Sequence, residues 1–135
     1  MNAQLKGDSM KSCDVNCNCT IFHQDVLSKV QNDLYPDHEY ESLSQVFKVF
    51  SDMTRIKILE AIKDAALCVC DLAYLLGVSK SAISHQMTLL KSYQFVDFEK
   101  KGKMVYYRLA NQQAKEIINT AYQIMKGQTN DEKND

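Results

Sequence analysis

Apolar residues recur at helical spacing along most of the chain, and this pattern predicts a mainly α-helical protein. A first short helix is expected over residues 25–34 and ends before Pro36, because the residue that precedes a proline avoids helical geometry. Two longer helices are expected next, over residues 39–51 and after Asp52. Their apolar positions are Leu43, Val46, Phe47 and Phe50 in the first and Ile56, Ile58, Leu59 and Ile62 in the second.

Two helices joined by a very short turn are predicted in the middle of the chain. Gly77 is expected to end the first, over residues 69–76, because glycine adopts the left-handed conformation most easily. Ser79 then caps a helix over residues 79–91, in which Ile83, Met87 and Leu90 form the buried stripe. The opposite stripe carries short polar groups where long charged side chains are usual, which favours contact with a partner. This polar face comprises Ser81, Ser84, His85 and Thr88 with Lys80 at its start, and Gln86 is a further expected contact.

A basic hairpin is predicted behind these two helices. Residues 95–100 and 104–109 alternate like strands, and Lys101-Gly102-Lys103 separates them. The combination predicts a winged helix-turn-helix fold with a two-stranded β wing, in which the second helix enters the major groove of double-stranded DNA. The wing would contact phosphates through Lys100, Lys101, Lys103 and Arg108, although a simply solvated basic face is the alternative.

A last amphipathic helix is predicted over residues 111–126, followed by a polar tail over residues 127–135. Its apolar side needs a partner, and the same helix of a second subunit in a homodimer is expected because a two-fold dimer suits a palindromic operator. Packing on its own core is the alternative. The predicted organisation is therefore an N-terminal arm with a short helix over residues 1–38, a DNA-binding and dimerisation domain over residues 39–126, and the tail.

Composition supports a globular chain whose positive charge is concentrated in one segment. The chain has 135 residues, of which 45% are hydrophobic and 24% are charged, and the net charge is −1. Residues 79–108 nevertheless hold six basic and two acidic side chains, so this segment is the expected nucleic-acid contact. We expect a cytoplasmic protein without membrane contact, since no apolar run approaches the roughly 20 residues that span a bilayer.

The five cysteines predict a soft-metal site. Cys13, Cys17 and Cys19 lie in the arm, and Cys68 and Cys70 lie at the start of the short helix. Thiolates are soft ligands that suit Zn(II), Cd(II), Pb(II) or As(III), and four of them satisfy a tetrahedral soft ion. His23 is either a further ligand or a surface residue.

Three other interpretations of the cysteines remain open. They are buried apolar side chains, a thiol redox or persulfide switch on the same DNA-binding fold, and a thiol enzyme or metal carrier without a DNA role. The enzyme is disfavoured, because no Cys-x-x-Cys pair or neighbouring general base is present.

Four motifs in order resemble the ArsR/SmtB family of metal-responsive repressors. They are Ser51-Asp52-Met53-Thr54-Arg55-Ile56-Lys57-Ile58-Leu59, Leu67-Cys68-Val69-Cys70-Asp71-Leu72, Ser84-His85-Gln86 within residues 79–86, and Gly102-Lys103-Met104-Val105-Tyr106-Tyr107. The resemblance covers residues 39–126 and is greatest to the CadC-type cadmium, lead and zinc sensors. It implies a winged-helix dimer that represses metal efflux or detoxification genes and leaves DNA when metal binds.

The resemblance also implies residue roles. Cys68 and Cys70 match the helix-borne ligand pair, and Lys80, Ser81, Ser84 and His85 match positions that face DNA. Cys19 and His23 resemble an arm motif with cysteine at both ends, so Cys13, Cys17, Cys19 and His23 compete for the remaining ligand places. The family's second site on the terminal helix would fall at Asn111, Gln113, Ile124 and Gly127, which lack the ligands. Ala73 stands where arsenic sensors of the family carry a third cysteine, which implies that an arsenite-responsive repressor is the less favoured alternative.

Overall fold

The computed structural model describes residues 23–133. Their helices and strands are, in chain order, α1 (Gln24–Asp33), α2 (Asp37–Val49), α3 (Met53–Ala61), β1 (Leu67–Cys68), α4 (Val69–Leu76), α5 (Lys80–Ser92), β2 (Val96–Lys101), β3 (Met104–Leu109) and α6 (Gln113–Lys133). The chain divides into two compact units between Gln45 and Val46. Cys13, Cys17 and Cys19, which the sequence assigns to the metal site, lie outside the described residues.

The first unit contains α1 and the first part of α2. No residue of α1 is buried, and Val26, Leu27 and Val30 are among its exposed apolar side chains. The turn after α1 is held by Tyr35 and Tyr40, whose rings meet edge to face at 6.0 Å. The backbone N–H of Tyr35 also donates to the Tyr40 hydroxyl oxygen at 3.2 Å. The apolar stripe that predicts α1 is therefore uncovered in the described part of the chain.

The second unit is built around an apolar core between its helices and the sheet. The predicted buried stripe of α5 is confirmed, since Ile83, Met87 and Leu90 are all fully buried. Burying each such side chain contributes roughly 1.5–3 kcal/mol. The core also contains Ile58, Leu59, Ile62, Leu72, Phe95, Val96, Tyr107 and Ala114. Burial of this one stripe leaves the polar stripe of α5 facing outward.

Local capping fixes where α3, α4 and α5 begin and end. The Asp52 carboxylate accepts from the Arg55 N–H at 2.9 Å, and the Ser79 hydroxyl oxygen accepts from the Ala82 N–H at 3.0 Å. Gly77 is left-handed at φ 68°, and its N–H donates to the Ala73 carbonyl at 2.9 Å. The predicted caps at Gly77 and Ser79 are confirmed, and they set α4 and α5 in a helix-turn-helix arrangement.

The wing belongs to a three-stranded antiparallel sheet in the order β1-β3-β2. The predicted β2–β3 hairpin is confirmed, and Gly102 supplies the positive φ of 63° that its turn requires. β1 was not predicted, because two residues are too few to show an alternating pattern. It pairs Leu67 with Tyr107 and Cys68 with Tyr106.

The terminal helix α6 continues to Lys133, past the predicted end at Lys126. Its first part lies on the core, where Ala114 is fully buried and Ile118 packs beside it. Tyr122 and Met125, farther along the helix, are 52% and 48% exposed. One helix therefore supplies both core packing and an uncovered apolar surface. No helix within residues 23–133 combines the length and hydropathy needed to span a membrane.

Candidate nucleic-acid interface and metal site

The outward face of α5 presents short polar side chains next to the helix-turn-helix turn. Lys80, Ser81, Ser84, His85 and Thr88 are all exposed. The Thr88 hydroxyl donates to the Ser84 carbonyl at 3.0 Å, which occupies its proton within the helix. Short side chains allow a helix to approach base edges closely in the major groove. Five of the six predicted α5 contacts thus share one open surface.

Gln86, the sixth predicted contact, is partly buried and bonded within the protein. Its Oε1 accepts from Arg55 Nη1 at 3.2 Å. Arg55 also donates from Nε to the Val49 carbonyl at 2.9 Å and from Nη2 to the Lys48 carbonyl at 3.1 Å. Sequence reasoning missed Arg55, because nothing in a helical pattern shows which distant side chain an arginine will reach. The structure thus gives Gln86 an internal contact that holds α5 against α3.

The hairpin has two chemically different faces, because successive side chains of a strand point to opposite sides. One face packs on the core through Val96, Val105, Tyr107 and Leu109, and it includes Phe98 and Lys100. The other face, called here the outer face of the wing, comprises Asp97, Glu99, Lys101, Met104, Tyr106 and Arg108. Two of the four predicted wing cations, Lys101 and Arg108, belong to this outer face.

The four wing cations differ in their surroundings. Arg108 is ion-paired through Nη2 with Asp97 Oδ2 at 3.2 Å and through Nη1 with Glu99 Oε2 at 3.6 Å. Both pairs are about half exposed, where such pairs contribute roughly 0–1 kcal/mol and exchange readily. No ion pair within residues 23–133 involves Lys100, Lys101 or Lys103. These three exposed lysines therefore give the end of the hairpin its positive charge.

Lys91 joins the last turn of α5 to the wing. Its Nζ lies 4.5 Å from the ring centroid of Phe98 and 5.3 Å from that of Tyr107. A cation over two ring faces is attracted to both. The helix and the hairpin that would contact DNA are consequently tied to each other, through a lysine that sequence reasoning did not single out.

Cys68 is both the last residue of β1 and the N-cap of α4. Its Sγ accepts from the Asp71 N–H at 3.5 Å, and its own N–H donates to Asp71 Oδ2 at 3.2 Å. These reciprocal bonds form a capping box with a thiol in the place usually taken by a hydroxyl. Cys68 is only 4% exposed, whereas Cys70, two residues on, is open to solvent, and both thiols are free.

The donor chemistry of this pair fits half of a soft-metal site. Two thiols in the first turn of a helix lie where the helix dipole favours negative charge. Four thiolates would satisfy a tetrahedral ion, and residues 23–133 hold no group of three or more potential ligands. His23 is exposed and precedes α1 without a side-chain cap bond. Any full ligand set must therefore draw on further residues.

The positions of the alternative site on α6 are occupied by other chemistry. Asn111 Oδ1 accepts from the Gln113 N–H at 2.9 Å, which is a helix-start contact. Ile124 is an exposed apolar residue, and Gly127 has no side chain. None of the four positions offers a thiol, imidazole or carboxylate to a metal ion.

Comparison with known protein families matches residues 52–97 to the model described as bacterial regulatory protein, arsR family. A cadmium resistance transcriptional regulatory protein CadC homolog of Staphylococcus aureus is 34% identical over 107 residues, covering 78% of this chain and 88% of the relative. A transcriptional repressor SmtB homolog of Synechocystis is 33% identical, covering 70% and 72%. An arsenical resistance operon repressor of Staphylococcus xylosus is 34% identical, covering 62% and 86%.

Solved structures share the fold. Rv0081 of Mycobacterium tuberculosis superposes with a TM-score of 0.65 at 23% identity, covering 69% of this chain and 94% of that one. The homodimeric winged helix-turn-helix DNA-binding domain of Mb0332 from Mycobacterium bovis gives 0.58 at 22% identity, covering 69% and 89%. The winged helix-turn-helix architecture predicted from the sequence is thereby confirmed.

Proposed function

The chain belongs to the ArsR family of transcriptional repressors, and we propose that it is a homodimer that releases its operator when a soft metal ion binds its cysteines. It is a regulator, not an enzyme, as its relatives are named regulators and repressors. The observation that carries the proposal is the position of Cys68 and Cys70 in the first turn of α4, the helix that leads into α5. The genes released from repression would serve metal efflux or detoxification.

Two surfaces support the proposal that the chain binds DNA: the polar face of α5 and the wing, which Lys91 joins. The polar face of α5 would read base edges, and Lys100, Lys101, Lys103 and Arg108 would contact phosphates. Phosphate contacts make affinity depend on salt, whereas base contacts make it depend on sequence. The two contributions are therefore separable by experiment.

Homodimer formation rests on the uncovered apolar surfaces. The exposed Tyr122 and Met125 of α6, together with the exposed stripe of α1, give each subunit apolar area to bury. A two-fold dimer would place two α5 helices on successive major grooves, about 34 Å apart. We expect the operator to be a palindrome for this reason.

The effector is proposed to be Cd(II), Pb(II) or Zn(II). Cys68 and Cys70 would supply two thiolates, and Cys13, Cys17, Cys19 or His23 would supply the rest. The bound ion would neutralise the thiolates and link the arm to α4, which favours a dimer geometry that no longer matches the operator. Three relatives bear names of cadmium resistance regulators, which supports this choice.

Arsenite is the less favoured effector. Ala73 occupies the next turn of α4 and is buried in the core, so this helix offers no third thiol there. As(III) would have to take its third ligand from the arm. Two relatives named as arsenical resistance operon repressors support As(III) as the alternative effector.

The test is an anaerobic titration of the reduced full chain with Cd(II), followed by ultraviolet thiolate-to-metal absorbance. Wild type should saturate near one ion per subunit, and the double variant Cys68→Ser with Cys70→Ser should lose the band. Serine is the matched replacement because its hydroxyl oxygen can still accept a hydrogen bond from the Asp71 N–H and so cap α4. Alanine at position 68 would also remove the cap and lower stability by about 1 kcal/mol.

DNA release is measured next by fluorescence anisotropy with a labelled operator. Wild type should lose affinity at least about tenfold when Cd(II) saturates it, which is within the usual range of coupling between sites. The double serine variant should bind DNA as wild type does and show no response. If wild type has no charge-transfer band but loses DNA on oxidation, the thiol redox or persulfide switch replaces this proposal.

A further inference from the structure

The strand register places the buried residue Cys68 on the same face of the sheet as Tyr106, opposite to Leu67. Leu67 pairs with Tyr107, and both pack with the core. The next residues, Cys68 and Tyr106, must point to the opposite side because strand residues alternate. Cys68 is 4% exposed although it is absent from the core cluster. The register therefore makes residues of the outer face, together with Asp71 of α4, the expected neighbours of Cys68.

Tyr106 is the cross-strand neighbour of Cys68. Residues directly opposite in an antiparallel pair have Cβ atoms about 4.5–5.5 Å apart, on the same face. Tyr106 itself is partly buried. Cys68 and Tyr106 are therefore cross-strand neighbours on one face of the sheet.

The same ring contacts the wing on its other side. Lys101 Nζ lies 5.9 Å from the Tyr106 ring centroid, within the range of a cation–π contact. Lys101 is the last residue of β2, at the turn of the hairpin. Cys68, Tyr106 and Lys101 therefore form one row from the start of α4 to the end of the wing.

A covered thiol cannot take an external ligand until its cover moves. The Asp71 N–H can still donate to a coordinated Cys68 thiolate, so the group that must give way is the neighbouring ring. Displacement of the ring removes the contact that restrains Lys101. In the other direction, a phosphate that draws Lys101 away alters the packing over the thiol, because coupling between two sites is reciprocal.

We propose that Tyr106 is a positioning residue that couples the ligand state of Cys68 to the DNA-binding end of the wing. The inference rests on the proposed function, since it takes Cys68 as an effector ligand. It adds a route that stays within one subunit, from β1 through β3 to β2. Tyr106 needs to contact neither metal nor DNA for this role.

The first test compares Tyr106→Val with Tyr106→Phe in the full chain. Valine keeps strand propensity but removes the ring, whereas phenylalanine keeps the ring. Operator affinity is measured by anisotropy with and without saturating Cd(II). The ratio of these two affinities reports the coupling between the metal site and the DNA site. Tyr106→Val should reduce the wild-type ratio at least about fivefold, within the range for residues that transmit coupling. Tyr106→Phe should leave it within about twofold.

The second test measures protection of the thiol and needs neither metal nor DNA. In a chain whose only cysteine is Cys68, the rate of reaction with a chromogenic disulfide is compared between the two variants. Tyr106→Val should react at least about tenfold faster than the tyrosine form, and Tyr106→Phe should react at the same rate. Equal rates in all three would show that Tyr106 does not cover Cys68 and would overturn the proposal.

The third test uses two wing lysines, Lys100 and Lys101, that lie on opposite faces of β2. Lys101→Gln should weaken coupling, whereas Lys100→Gln, on the opposite face of β2, should leave it unchanged. Both lose one positive charge, so a general charge effect would alter the two equally and contradict the proposal. If wild type itself fails to release DNA with Cd(II), the proposed function fails, and the thiol-protection test still decides whether Tyr106 covers Cys68.

Discussion

Arg55 Nη1 donates to Gln86 Oε1 at 3.2 Å and so joins the first turn of α3 to the middle of α5. The same guanidinium holds the carbonyls of Lys48 and Val49. Its side chain is only 17% exposed. The planar fork of arginine suits three acceptors in different directions, which a lysine ammonium on a flexible stem cannot match. Within the second unit, one side chain thus joins α3 and α5 to the carbonyls of residues 48 and 49.

Replacement of Arg55 should destabilise the fold. Arg55→Lys and Arg55→Gln should each lower the free energy of unfolding by about 1–3 kcal/mol, because partly buried acceptors lose charge-assisted bonds. Urea denaturation followed by circular dichroism measures the change. Lys57→Gln, an exposed position on the same helix, is the control and should stay within about 0.5 kcal/mol. Full stability in Arg55→Lys would show that charge alone suffices.

Lys91 should act on DNA affinity through the position of the wing. Lys91→Met removes the attraction to Phe98 and Tyr107, which should cost about 0.5–2 kcal/mol of stability and weaken operator binding. The slope of log affinity against log salt should be unchanged, since no phosphate contact is lost. Lys91→Arg should restore binding because guanidinium also stacks on rings. A slope reduced by about one in Lys91→Met would instead identify Lys91 as a phosphate contact.

Substitutions on the polar face of α5 and at the end of the wing should affect DNA binding in different ways. Lys103→Gln should weaken binding to every sequence and reduce the salt slope by about one. Ser84→Ala should weaken binding to the operator by about 1–3 kcal/mol and leave binding to unrelated duplexes unchanged. Anisotropy titrations at several salt concentrations measure both. The assignment of the two surfaces would be reversed if Ser84→Ala changed the slope and Lys103→Gln changed specificity.

The exposed part of α6 should control subunit association. Tyr122→Asp and Met125→Asp each place a charge in the apolar surface proposed for the dimer, so sedimentation should show monomers. Thr120→Asp, about 200° around the helix from Ile118, adds the same charge outside that stripe and should leave the dimer intact. Dimers that persist in both apolar-site variants would exclude α6 as the interface.

The helical part of the fold could be predicted because its signals are local. Asp52, Gly77 and Ser79 cap or end helices through atoms a few residues away, so their positions in the sequence carry the information. The contact of Arg55 with Gln86 and that of Lys91 with Phe98 depend on tertiary packing. The pairing of the short strand β1 with β3 depends on it too. The spacing of apolar residues in the sequence therefore does not predict these long-range contacts.

The turn after α5, at Gln94, is another feature that the sequence does not predict. Gln94 has φ 61°, a conformation that glycine adopts more easily. The Phe95 N–H donates to the Leu90 carbonyl at 3.1 Å, and both Leu90 and Phe95 lie in the core. Core packing therefore determines this turn, and no glycine marks it in the sequence.

The division of α6 into a core-packed first part and an uncovered later part has a consequence for gene dosage. In the proposed dimer, burial of Tyr122 and Met125 occurs only when two subunits meet, so the DNA-binding species forms by a second-order step. At low abundance, operator occupancy then rises with the square of the subunit concentration. Halving the cellular amount of the protein would cut repression about fourfold in that regime, without any change in the metal supply.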